Sequence, residues 1–147
     1  MSRRTGPGRL LLGVLFGLIS GLSVCLDGAQ ASPETEEVTR LGRQLYLRHC
    51  SQCHGAEGQG FRKLYPPLQG SPYFSRLRAR LPCLIRRGLQ GTIRLADGRF
   101  NQTMPANPGL GAAELTALLR YSGRFAGRAA QTPGSEEEIR AWLERCP

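Results

Sequence analysis

The chain has 147 residues, 20 of them Lys or Arg against 11 Asp or Glu, for a formal net charge of +9, and 40% are apolar. That size holds one small domain with a limited core of its own. Its longest apolar run, Leu10 to about Leu22, is about thirteen residues, short against the ~20 that a spanning helix needs, so no stable membrane span is expected once a signal segment is cleaved. Nearly all the positive charge is arginine, with Lys63 the sole lysine, so the surface suits an anionic partner: nucleic acid, lipid or an acidic protein.

The first thirty-one residues have the pattern of a secretory signal: Arg3, Arg4 and Arg9, the apolar run, then Ala29-Gln30-Ala31 as a cleavage site before Ser32. Arg3-Arg4 resembles a twin-arginine signal without the hydrophobic residues that should follow. Leu22-Ser23-Val24-Cys25 resembles a lipidation box, with Val24 where a small residue is wanted. Cleavage near Ala31 explains the segment more simply and leaves 116 residues with 17 basic and 10 acidic side chains, a net charge of +7. An exported chain has little occasion to meet nucleic acid. Its Cys83 and Cys146 enter an oxidising compartment, where two states are open: a Cys83–Cys146 disulfide, or a small buried thiol and a free one near the terminus.

Thr35, followed by Glu36 and Glu37, is a helix start, and Val38, Leu41 and Leu45 recur on one face of that helix. Gly42 interrupts it at a cost of about 1 kcal/mol against alanine, so a packing reason is expected. The helix leads into Cys50-Ser51-Gln52-Cys53-His54, the spacing of a c-type haem attachment site: each thiol can add to a vinyl group, and the adjacent imidazole then lies under the iron. A structural zinc site needs about four ligands, and His49, Cys83 and Cys146 form no second close pair. A thioredoxin-like pair belongs in a βαβ setting, and no strand-rich run precedes Cys50. His49 itself reads as an exposed helix residue. Three glycines between Gly55 and Gly60 predict a tight loop under the haem edge, with Arg62 and Lys63 near that edge. Tyr65-Pro66-Pro67-Leu68 is then an extended wall, Leu68 and Tyr65 facing porphyrin.

Ser71-Pro72 predicts a helix over Tyr73 to about Arg80, and Pro82 opens another that Gly88 ends, Leu84 and Ile85 inward. Arg76, Arg78, Arg80, Arg86 and Arg87 are mostly a solvated face, one or two of them available to a haem propionate. Ala96-Asp97-Gly98 signals a short hairpin between Thr92–Leu95 and Arg99-Phe100. Asn101 to Gly109 is a loop carrying Met104, the only methionine besides the initiator. As a soft thioether beside a rigid proline, Met104 is the candidate second iron ligand by elimination. Phe100 is expected against the haem and Asn101 near Met104. A helix follows from Ala112 to about Gly123, then a linker over 124–134. A helix capped by Ser135 closes the chain, its Ile139, Trp142 and Leu143 packing on the body.

At these residues the chain resembles a class I cytochrome c of the small bacterial single-haem type. The likeness runs from Gly42 through the haem motif, Tyr65-Pro66-Pro67-Leu68, Arg87-Gly88-Leu89 and Asp97–Pro105 to Leu115 and Tyr121. The resemblance implies an all-α fold wrapped around one covalent haem c, with the cytochrome domain over 32–125 and a helical extension over 126–147. It implies that the first and last long helices cross at Gly42, against Tyr121 or Leu118. It also implies that a carbonyl of Pro66 or Pro67 accepts the N–H of His54. Cys50, Cys53, His54, Pro67, Leu68, Phe100 and Met104 are the expected haem contacts, His54 and Met104 holding the iron. The implied function is periplasmic electron transfer between a redox donor and acceptor with acidic docking surfaces, not catalysis. Two alternatives are a cytochrome subunit of a larger dehydrogenase or oxidoreductase, and a haem sensor or peroxidase with labile methionine.

Overall fold

The computed structural model describes residues 32–129 and 134–147. The expected signal segment, with Arg3-Arg4, Cys25 and the Ala31 cleavage site, and residues 130–133 of the expected linker lie outside the described residues. The rest is mostly helical with one two-stranded sheet. Helix α1 spans Pro33–His49, and its cap is Ser32, not Thr35: the Ser32 hydroxyl accepts from the Thr35 N–H at 3.3 Å. Pro33 decides this, because proline has no N–H to leave unpaired and its backbone angle already suits a first helical residue.

Helix α1 packs against α4, Ala112–Gly123, across the expected Gly42 notch. A methyl group on Gly42 would collide with the Ala117 carbonyl and lie 2.8 Å from Tyr121 Cβ, so Ala117 and Tyr121 stand directly against the notch. The core beside this crossing holds Tyr46, Leu115, Leu118 and Ile139, all essentially inaccessible. Tyr46, Tyr121 and Phe125 form a tilted aromatic cluster with centroids 5.0–5.8 Å apart. Such pairs are worth about 0.5–1.5 kcal/mol beyond the area they bury.

Between α1 and α4, the four-residue α2, Ser51–His54, carries the thiol motif. The helix expected over 73–80 is replaced by two 3-10 turns, Pro72–Phe74 and Arg78–Arg80. Ser71 and Pro72 do start a turn, but Ser75 leaves helical angles (φ −129°, ψ −106°), and the break lets Phe74 enter the core. Helix α3, Leu81–Arg87, ends at Gly88, whose φ of 75° only glycine adopts freely. Strands β1, Ile93–Leu95, and β2, Gly98–Phe100, pair antiparallel with Ile93 opposite Phe100.

The expected linker does not begin at 124. A 3-10 segment, Arg124–Ala129, kinked at Gly127, continues the chain, and Phe125 and Ala126 are buried in the core. Helix α5, Glu136–Glu144, starts with a reciprocal cap: Glu138 N–H donates to the Ser135 hydroxyl at 3.3 Å, and Ser135 N–H to the Glu138 carboxylate at 3.0 Å. Ile139 is its buried anchor, and Trp142 and Leu143 pack half-buried on the core. Cys83 of α3 and Cys146 beyond α5 form a disulfide, their Cα atoms 5.6 Å apart. Of the two states open from sequence, the bridged one is found.

Candidate functional site

Backbone hydrogen bonds hold the motif in place. Cys50 N–H donates to the Tyr46 carbonyl at 2.9 Å, closing α1, and His54 N–H donates to the Cys50 carbonyl at 2.9 Å. The chain then reverses at Gly55 (φ 78°), whose carbonyl accepts from the Tyr46 hydroxyl at 2.6 Å. Gly58 is buried beneath Phe125, where a Cβ would meet the ring at 2.8 Å, and its carbonyl accepts from Leu68 N–H at 2.7 Å. The glycine-rich loop is therefore clamped between the aromatic cluster and the proline wall.

His54 Nδ1 lies 2.9 Å from the Pro66 carbonyl oxygen. A carbonyl only accepts, so Nδ1 carries the proton and Nε2 keeps a free lone pair. Of the two prolines open from sequence, the accepting carbonyl is that of Pro66, while Pro67 contributes its ring to the wall. Burial pushes the His54 pKa below its ordinary value and so favours the neutral imidazole, while the Pro66 bond partly offsets the shift. Burial, and after it the neighbouring Cys53, pushes the Cys50 thiol up to about 11. Both Cys50 and Cys53 are unbridged.

Met104 is fixed by backbone, not by its flexible side chain. Its N–H and carbonyl pair with the carbonyl and N–H of Leu89, both at 2.9 Å, and Gly88 lies against its carbonyl so closely that a Cβ would come within 2.5 Å. Asn107 holds the far end of this loop: its N–H donates to the Ile85 carbonyl at 3.0 Å and its amide to the Pro105 carbonyl at 3.3 Å. Asn107 was not among the expected site residues, although an Asn-Pro pair in a ligand loop is a turn signal. The expected role of Asn101 is corrected: it is exposed and accepts from the Thr92 hydroxyl at 3.1 Å, tying the hairpin ends together.

These elements enclose one cavity of about 1100 Å³ including its open mouth. Cys50, Cys53, His54, Pro67, Leu68, Phe100 and Met104, separated by up to 54 positions, all line it. Phe74, Leu81, Ile85 and Leu119 complete an apolar wall. Arg62, Lys63, Arg76, Arg78, Arg80, Arg86 and Arg87 do not line it. Two unbridged thiols, a neutral imidazole with a free lone pair, a thioether and apolar walls are the donor set of a covalently held haem, and the residues fit that group.

Among the described residues no helix is long and apolar enough to cross a membrane. A family model described as cytochrome C oxidase, cbb3-type, subunit III, matches residues 37–121, more than half of the chain. No curated protein matches. The matched span begins in α1 and ends in α4, taking in the thiol motif, the proline wall and the Met104 loop, and by it the chain belongs to the class I cytochrome c-type family, which implies a c-type haem and haem-based electron transfer.

Proposed function

We propose that this protein is a periplasmic electron carrier with one haem tethered through Cys50 and Cys53 and held axially by His54 and Met104. The observation that carries the reading is that both thiols, the oriented imidazole and the thioether line a single apolar cavity. The bound haem supplies a one-electron couple between ferric and ferrous iron. The chain does the rest. The Pro66 carbonyl fixes the ring of His54 and makes Nε2 a better donor. The Leu89 bridge and Asn107 hold Met104 in place. The apolar walls exclude water, so little has to rearrange when charge changes.

If His54 and Met104 both held the iron, no ligand position would be left to a substrate, which is why carriage is favoured over catalysis or sensing. Met104→Ala tests this. The haem-loaded variant is expected to lose the weak far-red sulfur-to-iron absorption and to bind carbon monoxide when reduced. Its potential should fall by on the order of 0.1 V, within the ~0.8 V range that axial ligands command. An unchanged spectrum and potential would remove Met104 from the iron. Rapid carbon monoxide binding by the unaltered protein would favour a sensor or peroxidase.

A second reading is favoured by the description of the matching family model, which names an oxidase subunit: the protein would be the haem subunit of a larger oxidoreductase. Size-exclusion chromatography of a gently prepared native extract separates the two, a free monomer supporting the carrier and a stable high-mass species the subunit.

A further inference from the structure

A second hollow lies beside the haem cavity, between α3 and the end of α5, with an empty volume of about 1260 Å³ including its open mouth. Its floor is Leu84, Leu89 and Trp142, and three guanidinium groups stand on its rim: Arg80 before α3, Arg87 in the last turn of α3, and Arg145 beyond α5. All three arginines are exposed, no Asp or Glu side chain lines the hollow, and none of the three makes an ion pair among the described residues. Elsewhere the chain does supply partners, as in Arg40–Glu37 and Arg140–Glu136, both at 2.6 Å.

The bland account is three solvated side chains that happen to be near each other. It fails to explain why the disulfide gathers them. Cys83 lies between Arg80 and Arg87 in sequence, Cys146 adjoins Arg145, and Cys83 itself lines the hollow. The covalent link therefore brings like charges onto one rim, where they repel. Such a cluster opposes folding slightly and attracts an external anion. An apolar floor inside a charged rim is also the make-up of a protein docking site. Tyr73, Leu84 and Leu89 line this hollow and the haem cavity alike, and the backbone of Leu89 is the one that brackets Met104.

We propose that the groove docks an acidic redox protein that presents carboxylates around an apolar tip, and that electrons cross the shared Leu84–Leu89 wall on the Met104 side. One electron leaves the reduced member of the pair and reduces the oxidised one, and no atom is transferred. This rests on the carrier reading above and deepens it by naming the face and the chemistry of the partner.

The test uses the haem-loaded protein and two probes: a reduced flavodoxin, as an acidic electron-donor protein, and inorganic phosphate. The Arg80→Glu/Arg87→Glu variant is expected to slow bimolecular reduction by flavodoxin about tenfold at low ionic strength, the difference shrinking at high salt. The charge-matched Arg43→Glu/Arg120→Glu variant, at exposed positions of α1 and α4 that line neither hollow, should change it less than twofold. Equal effects at the two sites would mean that only net charge matters and would overturn the groove. So would saturable displacement of the groove's amide resonances by phosphate at micromolar concentration, the mark of a small-anion site. Spectrum and potential are read on every variant. A colourless protein defeats the carrier reading, whereas a normal spectrum and potential with an unchanged rate defeats only the docking face.

Discussion

At the scale of single residues, Tyr46, His54 and Asn107 each pair a buried or half-buried side chain with a backbone carbonyl. Tyr46 is the deepest of them, a fully buried ring whose hydroxyl donates to Gly55 at the turn behind His54. Burial holds the phenol protonated well above its ordinary range. In the unfolded chain a tyrosine ionises near pH 10. Above that pH the unfolded state sheds a proton that the folded state keeps. The contribution of Tyr46 to stability is therefore complete below about pH 10 and is lost as pH rises through the folded pKa. Tyr46→Phe is expected to destabilise the haem-loaded protein by about 1 kcal/mol at neutral pH, by removing the shorter of the two hydrogen bonds that the Gly55 carbonyl accepts, the other coming from Gly58 N–H at 3.2 Å, and to flatten the fall in stability above pH 10. Guanidinium unfolding on both sides of pH 10 checks this. Parallel curves for the two proteins would show that Tyr46 does not titrate with unfolding.

At the scale of elements, α5 is held to the body in two ways, by the burial of Ile139 and by the Cys83–Cys146 bond. The bond spans 63 positions, and in the chain-entropy account closing a loop of that size is worth about 4 kcal/mol. No residue of α5 lines the haem cavity. The Cys83→Ser/Cys146→Ser variant should therefore keep its haem spectrum while its guanidinium midpoint falls by an amount corresponding to roughly 2–4 kcal/mol. An unchanged midpoint would mean that Ile139, Trp142 and Leu143 suffice. A lost spectrum would mean that α5 supports the site through α3.

At the scale of the whole molecule the core and the cofactor cavity are not separable. Leu81, Ile85, Leu118 and Leu119 belong both to the hydrophobic core and to the cavity wall. Without a group seated between them these side chains would line an open hollow instead of a packed face, forfeiting the burial and dispersion contacts that close packing supplies. Cys50→Ser/Cys53→Ser protein, which has no tether, is expected to keep part of its helical far-ultraviolet signal while losing near-ultraviolet dichroism and a cooperative melt. A sharp two-state transition from haem-free material would show that the polypeptide packs unaided.

What the sequence determined by itself is local. Cys50, Cys53 and His54 fall within five consecutive residues, so their joint chemistry needs no fold to be read. Met104 stood out because it has no competitor, and the helices around Leu45 and Leu118 because apolar residues recur at helical steps. Tertiary structure decided what spacing leaves degenerate. Pro66 and Pro67 are adjacent and chemically alike, and only the orientation of the wall against His54 selects the first carbonyl. Asn101 and Asn107 flank the same loop, and which one braces it depends on where the Ile85 carbonyl lies. Phe125 looks like the start of a linker until Tyr46 and Tyr121 are seen to need a third ring. The Cys83–Cys146 bond required two Cα atoms 63 positions apart to come within 5.6 Å, a distance set by the packing of α3 against α5 and by nothing in the residues nearby.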